Sequence, residues 1–203
     1  MNLSKTACIA SICILTACAT PQRTPIEAPL PPSTETQQPS TPIVSPQSLS
    51  AWELSGAIAA RNQKKGWTAS LNWLQQGPNQ YQIRLFGPLG GGTVIIEKKG
   101  SVITYRDGPK VLKSNNASEL LQKQTGTQLP VHNLYYWVRG LKAPGAVSAS
   151  QYDENHRLLA LNQGGYHIEY SAYTSVNGMH LPSKIRLQGH GVLIKLVIKH
   201  WRV

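Results

Sequence analysis

The 203-residue chain has one phenylalanine, three cysteines and nine acidic residues. Each scarcity excludes something. Three cysteines cannot build the dense disulfide framework that replaces a hydrophobic core in small secreted domains. The six histidines (132, 156, 167, 180, 190 and 200) fall in no His-Glu-x-x-His or facial carboxylate pattern, and no Gly-x-Ser-x-Gly elbow occurs. Gly90-Gly91-Gly92 lacks the Lys-Ser/Thr that completes a phosphate-binding loop. Asp153-Glu154 precedes Asn155-His156 in what reads as a solvated polar turn rather than an acid–base pair. With no motif for catalysis, the chain is expected not to be an enzyme and to hold no metal.

Long apolar runs are also missing, since the most apolar stretch, Ala7 to Leu15, is too short to cross a bilayer. It follows Lys5 and ends at Leu15-Thr16-Ala17-Cys18, the pattern of a secretory signal closed by a bacterial lipobox. Residues 1–17 are therefore read as a cleaved signal and Cys18 as the lipidated first residue of the mature chain. Its covalent S-diacylglycerol and N-acyl chain are the only cofactor-like groups expected. At about 0.8 kcal/mol per buried CH₂, two or more chains make a permanent anchor where one myristate does not. Cys8 and Cys13 leave with the signal, so neither a disulfide nor a cysteine-ligated metal is open to the mature protein. Ala19 stands where lipoproteins kept on the inner membrane carry Asp, which favours the outer membrane.

Residues 18–47 hold eight of the fourteen prolines together with Ser, Thr and Gln, a composition that cannot bury a core and reads as a flexible tether. Residues 48–203 are enough for one packed domain. The charge resides there. All Lys and Arg but Lys5 and Arg23, 18 in number, stand against all Asp and Glu but Glu27 and Glu35, 7 in number, which leaves +11. Such a surface suits anionic lipid head groups or an acidic protein. Nucleic acid is excluded by the secreted location and by the absence of aromatic-interleaved basic runs.

Within the domain, polarity alternates with a period of two and the alternating segments are separated by turn residues. Trp52, Leu54, Gly56, Ile58 and Ala60 share one face of a first strand; Trp67, Ala69, Leu71 and Trp73 one face of a second; Tyr81, Ile83 and Leu85 one face of a third. Strands over 93–98, 101–106 and 110–113 follow, joined at Lys99-Gly100 and Asp107-Gly108. A capping box, Asn116-Ala117-Ser118-Glu119, opens a helix that runs through Lys123 and stops at Gly126, and a second helix is expected from Val131 to Arg139. Strands resume over 148–152, 157–162, 166–173, 183–188 and 192–201. About eleven short antiparallel strands predict a mainly β fold whose sheet curls toward a barrel, either filled with side chains or holding an apolar cavity.

Trp73-Leu74-Gln75-Gln76-Gly77, Tyr81 and Arg84-Leu85-Phe86-Gly87-Pro88-Leu89-Gly90 resemble the LolB family of outer-membrane lipoprotein receptors. Thr125-Gly126, Leu129-Pro130, Leu134, Trp137 and Gly140-Leu141 resemble its central segment, and Leu181-Pro182, Leu187, Ile194-Lys195-Leu196 and Trp201 its final strands. The resemblance covers residues 49–203. It departs at Gly87, where Asn is expected, and at the longer turn Leu141-Lys142-Ala143-Pro144.

The resemblance implies an unclosed antiparallel barrel of eleven strands, lidded by short helices over a hydrophobic cavity. It implies a monomer facing the periplasm that takes lipoproteins from a LolA-type carrier and inserts them into the inner leaflet of the outer membrane. The cavity is assigned to Trp52, Leu54, Trp67, Leu71, Trp73, Ile83, Leu85, Trp137 and Trp201, and membrane insertion to the loop Pro88, Leu89 and Gly90. A half-barrel lipoprotein that binds lipid or serves structurally without transferring cargo is the alternative. Whether the basic surface meets the carrier or the head groups stays open.

Overall fold

The computed structural model describes residues 45–88, 91–126 and 129–203. Cys18, the signal and most of the expected tether lie outside these residues, as do Leu89 and Gly90. The strands are β1 (Ala51–Arg61), β2 (Gly66–Gln76), β3 (Gln80–Phe86), β4 (Thr93–Lys99), β5 (Val102–Asp107), β6 (Lys110–Ser114), β7 (Val147–Tyr152), β8 (Leu158–Gln163), β9 (Tyr166–Val176), β10 (Met179–Gly189) and β11 (Val192–Arg202). Two helices, α1 (Ala117–Thr125) and α2 (Val131–Trp137), lie between β6 and β7, and a 3₁₀ turn over Pro46–Ser48 leads into β1.

All eleven strands form one antiparallel sheet in the order β6-β5-β4-β3-β2-β1-β11-β10-β9-β8-β7. Every neighbour is joined by a hairpin except β1 and β11, which bring the two ends of the domain together in the middle of the sheet, Leu54 opposite Trp201 and Arg61 opposite Leu193. β6 and β7 remain edges. The sheet is an open half-barrel, and α1 and α2 provide the crossover between its edges.

The period of two decides which face is buried. Trp52, Leu54, Ile58 and Ala60 of β1 point inward with Leu71 and Trp73 of β2, Tyr81, Ile83 and Leu85 of β3, and Ile194, Leu196 and Ile198 of β11. The helices add Leu120, Leu121, Val131, Leu134 and Trp137 to the same cluster. Burying an aliphatic side chain contributes about 1.5–3 kcal/mol, and only the concave side of a curved sheet shelters so many at once.

The boundaries depart from expectation where local chemistry intervened. β9 runs to Val176 and β10 starts at Met179 because Asn177 and Gly178 hold φ of 49° and 78°, the left-handed pair of a two-residue hairpin. Pro182 sits inside β10 rather than ahead of it, and the register shifts after it. A second shift between Lys184 and Ile185 offsets the first, so Leu181, Ile185 and Leu187 all stay buried. Only half of the capping box forms: Asn116 Oδ1 accepts from the Glu119 N–H at 3.1 Å, but the Glu119 carboxylate turns to Lys123 at 2.7 Å. α2 ends at Trp137, two residues early, as the Arg139 and Gly140 N–H groups bond back to Tyr136 and Trp137.

Gly56 marks the tightest point of the β1–β11 seam. A Cβ there would stand 2.0 Å from the Val197 carbonyl oxygen, next to a register shift. Gly56→Ala is expected to cost about 2–4 kcal/mol by overpacking rigid backbone, read as a lower urea midpoint at unchanged slope. A variant with an unaltered midpoint would mean that the seam is looser than described.

Candidate functional site

The nine residues assigned to the interior come together. Trp52, Leu54, Leu71, Trp73, Ile83, Leu85 and Trp137 are buried in one apolar cluster, and Trp67 and Trp201 pack against it half-buried. Trp52 is its hub: its ring lies 5.1 Å from Trp73, 5.5 Å from Trp201 and 6.3 Å from Tyr135 of α2. Trp73 in turn meets Tyr81 edge-on at 6.2 Å. These contacts carry the concave wall across β11, β1, β2 and β3 and onto the helix.

Buried polar groups lock the helices against this wall. Gln163 Oε1 at the end of β8 accepts from Trp137 Nε1 and from the Ala143 N–H, both at 2.9 Å, and its Nε2 donates to the Ala143 carbonyl at 2.6 Å. Gln75 acts within the sheet instead, fixing the Trp73 indole to the turn after β2 by accepting from Trp73 Nε1 at 2.9 Å and donating to the Gly77 carbonyl. Arg139 is 3% exposed. Its guanidinium lies 4.1 Å from the Tyr135 ring centre and donates to the carbonyls of Tyr135 at 3.0 Å, Leu49 at 2.5 Å and Pro46 at 3.3 Å. Burial pulls its pKa down, and the same burial raises the Tyr81 hydroxyl to about 12. Arg139 thus staples the incoming chain to α2. Gln75, Gln163 and Arg139 were absent from the sequence-level assignment, because a polar residue on an apolar face gives no sign of its partners.

The aromatic cluster around Trp52 is packed, and two of the domain's openings flank it, one toward each end. A cavity of about 480 Å³ between helices and sheet is lined by Tyr81, Ile103, Val131 and Tyr135, with Lys98 and His132 among its polar residues. A smaller one of about 280 Å³ is lined by Trp67, Ala69, Leu85, Val94 and the glycines at 87, 91 and 92. Of the nine assigned residues, Trp67 and Leu85 line the second and none lines the first. Tyr81 and Ile103 could have been read from their inward register; Val131 and Tyr135 could not, because the seating of α2 has no local signature.

Two indole N–H groups in this region, those of Trp52 and Trp67, are buried without a hydrogen-bond partner. The loop beside Trp67 is pinched at its base: the Gly87 N–H donates to the Gly92 carbonyl at 3.0 Å and the Gly91 N–H to the Pro88 carbonyl at 3.1 Å. A Cβ at Gly87 would stand 2.9 Å from the Gly91 oxygen, so the unexpected glycine and the glycine run opposite it belong together. Pro88 is exposed; Leu89 and Gly90 cannot be placed, being outside the described residues.

An open, helix-plugged β half-barrel with a continuous aromatic and aliphatic interior defines a class suited to sequestering apolar ligands. The family model described as outer membrane lipoprotein LolB matches residues 50–201. Proteins of that name are similar to this chain in Stutzerimonas stutzeri, 41% identical over 76% of this chain and 75% of the relative, and in Coxiella burnetii, 37% identical over 76% and 73%. A third, from Pseudomonas syringae, is 37% identical over 76% of each. A solved LolA superfamily protein from Nitrosomonas europaea superposes with a TM-score of 0.49 at 9% identity, covering 76% of this chain and 86% of that one. That likeness adds nothing to the assignment. The chain belongs to the LolB family of outer-membrane lipoproteins.

Two of the buried tryptophans, Trp52 and Trp137, give a direct test of the interior. Replacing either by Phe loses ring volume, but only Trp137→Phe also removes a bonded N–H, while Trp52→Phe removes one that has no partner. Trp52→Phe is expected to destabilise less, by about 1–3 kcal/mol, in denaturant unfolding. The reverse order would show that the Trp52 N–H is satisfied in solution.

Proposed function

We propose that this outer-membrane lipoprotein is a receptor that accepts lipoproteins from a LolA-type periplasmic carrier, holds their acyl chains against its concave apolar face and inserts them into the inner leaflet. Family membership over three-quarters of the chain carries this reading. The continuous apolar wall from Trp201 through Trp52 and Trp73 to Tyr81 supports it chemically. An acyl chain has no directional handles and asks only for dry surface. Each chain withdrawn from water contributes on the order of 10 kcal/mol gross.

The packed interior bears on release. To admit a chain, Leu120, Leu121 and Leu134 must give up part of the concave face they cover. Cargo then replaces one set of apolar contacts with another, and the net affinity is the small difference between two large burials. Transfer needs that property. A receptor that held cargo by the full burial would not let it go, and no nucleotide-binding motif is present to force release. A lipoprotein of the same shape that only binds lipid is not favoured.

The family resemblance assigns Leu89 to the membrane step with its neighbours Pro88 and Gly90, and an apolar residue in a Gly-Pro-Leu-Gly sequence that turn chemistry would ordinarily fill with polar ones supports it. In a mixture of loaded carrier, receptor and lipid vesicles, Leu89→Glu is expected to strip fluorescent lipoprotein from the carrier normally yet deliver it to vesicles at least tenfold more slowly. Undiminished delivery would remove Leu89 from the insertion step. Failure of the unaltered protein to strip the carrier would sink the receptor reading itself.

A further inference from the structure

The half-barrel has two distinct ends. At one lie the turns 77–79, 100–101, 153–157 and 177–178 with the start of β1 and the end of β11; at the other lie the turns 62–65, 87–92, 108–109, 164–165 and 190–191. The chain enters at the first end, where Arg139 clamps Pro46 and Leu49. The second end holds the pinched loop 87–92.

Their electrostatics differ in degree. Near the first end Lys113, Lys142 and Lys199 are exposed, but the cations Lys99, Arg157 and Arg202 are neutralised by Glu97, Asp153 and Glu53 at 3.0, 2.6 and 2.6 Å. Around the second end stand Arg61, Lys64, Lys65, Arg106 and Lys110, all exposed, against one carboxylate, Asp107. Among the described residues none of these five is ion-paired; Lys110 bonds to the neutral Gln124. Beside them two apolar side chains are turned to solvent, Phe86, the only phenylalanine, at 40% and Val111 at 52% exposed. Exposed apolar side chains ringed by unpaired cations form the pattern of a surface that seats on an anionic bilayer: the cations attract phosphates while the apolar groups enter the acyl boundary.

We propose that this second end is the membrane-docking face, with Arg61, Lys64, Lys65, Arg106 and Lys110 binding anionic phospholipid head groups and Phe86 and Val111 dipping below them. The proposal deepens the receptor reading by assigning which end meets the bilayer and through which lipid chemistry. It puts the docking face opposite the point where the tether joins. The 26 residues from Ala19 to Val44 permit this, with a reach of about 80 Å against about 37 Å for an eleven-residue strand.

The test uses the full mature chain with Cys18→Ala, so that binding is not dominated by the anchor. It is mixed with phosphatidylcholine vesicles containing none or 30% phosphatidylglycerol, on the order of the anionic content at which basic patches respond. Binding by flotation is expected to rise with phosphatidylglycerol and to fall with salt, and Lys64→Glu with Lys65→Glu to lower it at least tenfold. The same charge change at the other end, Lys142→Glu with Lys199→Glu, is expected to change it less than threefold. Because this chain has no other cysteine after signal removal, Phe86→Cys carries a single environment-sensitive dye. That dye is expected to blue-shift on anionic vesicles, while one at Val102→Cys, 47% exposed at the opposite end, is not.

Equal losses from both charge reversals, or equal dye shifts at both positions, would overturn the proposal. So would a Lys64/Lys65 variant that binds vesicles normally but no longer strips cargo from the carrier, which would make the rim a carrier-docking surface. Stripping by the unaltered protein, measured without vesicles, keeps a failure here distinct from a failure of the receptor reading.

Discussion

The pairing of β1 with β11 is the constraint on which the rest of the structure depends. Without it the chain would be two meanders, β1–β6 and β7–β11, each with an apolar face and too few strands to curve around it. With it, the residues most distant in sequence become neighbours, Glu53 beside Arg202, and eleven strands share one concave side. This is also the ladder that closes the longest loop, so it carries the largest entropic penalty and the smallest local encouragement. The exposed Glu53–Arg202 ion pair adds little to it. What holds the seam is the inward file of Trp52, Leu54, Ile58 and Ala60 against Ile194, Leu196 and Ile198, together with a glycine at the one point where backbone meets backbone.

A sheet curved by this seam but left open between β6 and β7 has an apolar face that a second layer must cover, and among the described residues the crossover between those edges supplies it. That logic explains why the helices are where they are. Their attachment is uneven: α2 is fixed by Trp137 to Gln163 and by Arg139 to the entering chain, whereas α1 packs through Leu120 and Leu121 and its polar ties, Asn62 to the Gly126 carbonyl, Lys110 to Gln124 and Ser118 to the Leu129 carbonyl, lie at its exposed or half-buried margin. A cover held by apolar contact along one helix and by buried hydrogen bonds along the other is one that apolar cargo can displace on one side while the polar locks keep the other in register.

Much of this was legible in the sequence because its period is simple. Alternation at residues 52–60, 67–73 and 81–85 identified inward faces without any knowledge of the partner strands, and Lys99-Gly100 and Asp107-Gly108 marked real hairpins. Where sequence period and structure differ, short-range chemistry outweighed period: Asn177-Gly178 make the β9–β10 turn two residues long, and Pro182 is taken into β10 through a pair of offsetting register shifts. The buried polar locks Gln75, Gln163 and Arg139 were illegible for a different reason. A polar residue signals burial only through its partners, and these lie up to 93 residues away. The cationic end was equally hidden, since no basic run exceeds two residues. It exists only because the turns after β1 and β5 fold to the same end of the barrel.

The opposed placement of tether and cationic end has an energetic meaning. The lipid expected on Cys18 would fix the domain near the bilayer without orienting it, and a linker of the 26 residues from Ala19 to Val44 would raise the effective concentration of the membrane to roughly the millimolar range. Under that condition docking requires only about 4 kcal/mol to be well populated, because a millimolar affinity already corresponds to that figure. Five unpaired cations at about 1 kcal/mol each near an anionic surface reach it without deep insertion. The domain could then dock by its far end, release and swing back within the reach of its tether, which suits a protein that must face the periplasm to receive cargo and the bilayer to deliver it. A stronger docking face would hold it on the membrane, and a weaker one would leave delivery to chance. On this reasoning the sparse acidic content of the chain is part of its function: a few more carboxylates around the turns at 62–65 and 108–109 would pair the rim as Lys99, Arg157 and Arg202 are paired at the opposite end, and the domain would lose its preferred orientation.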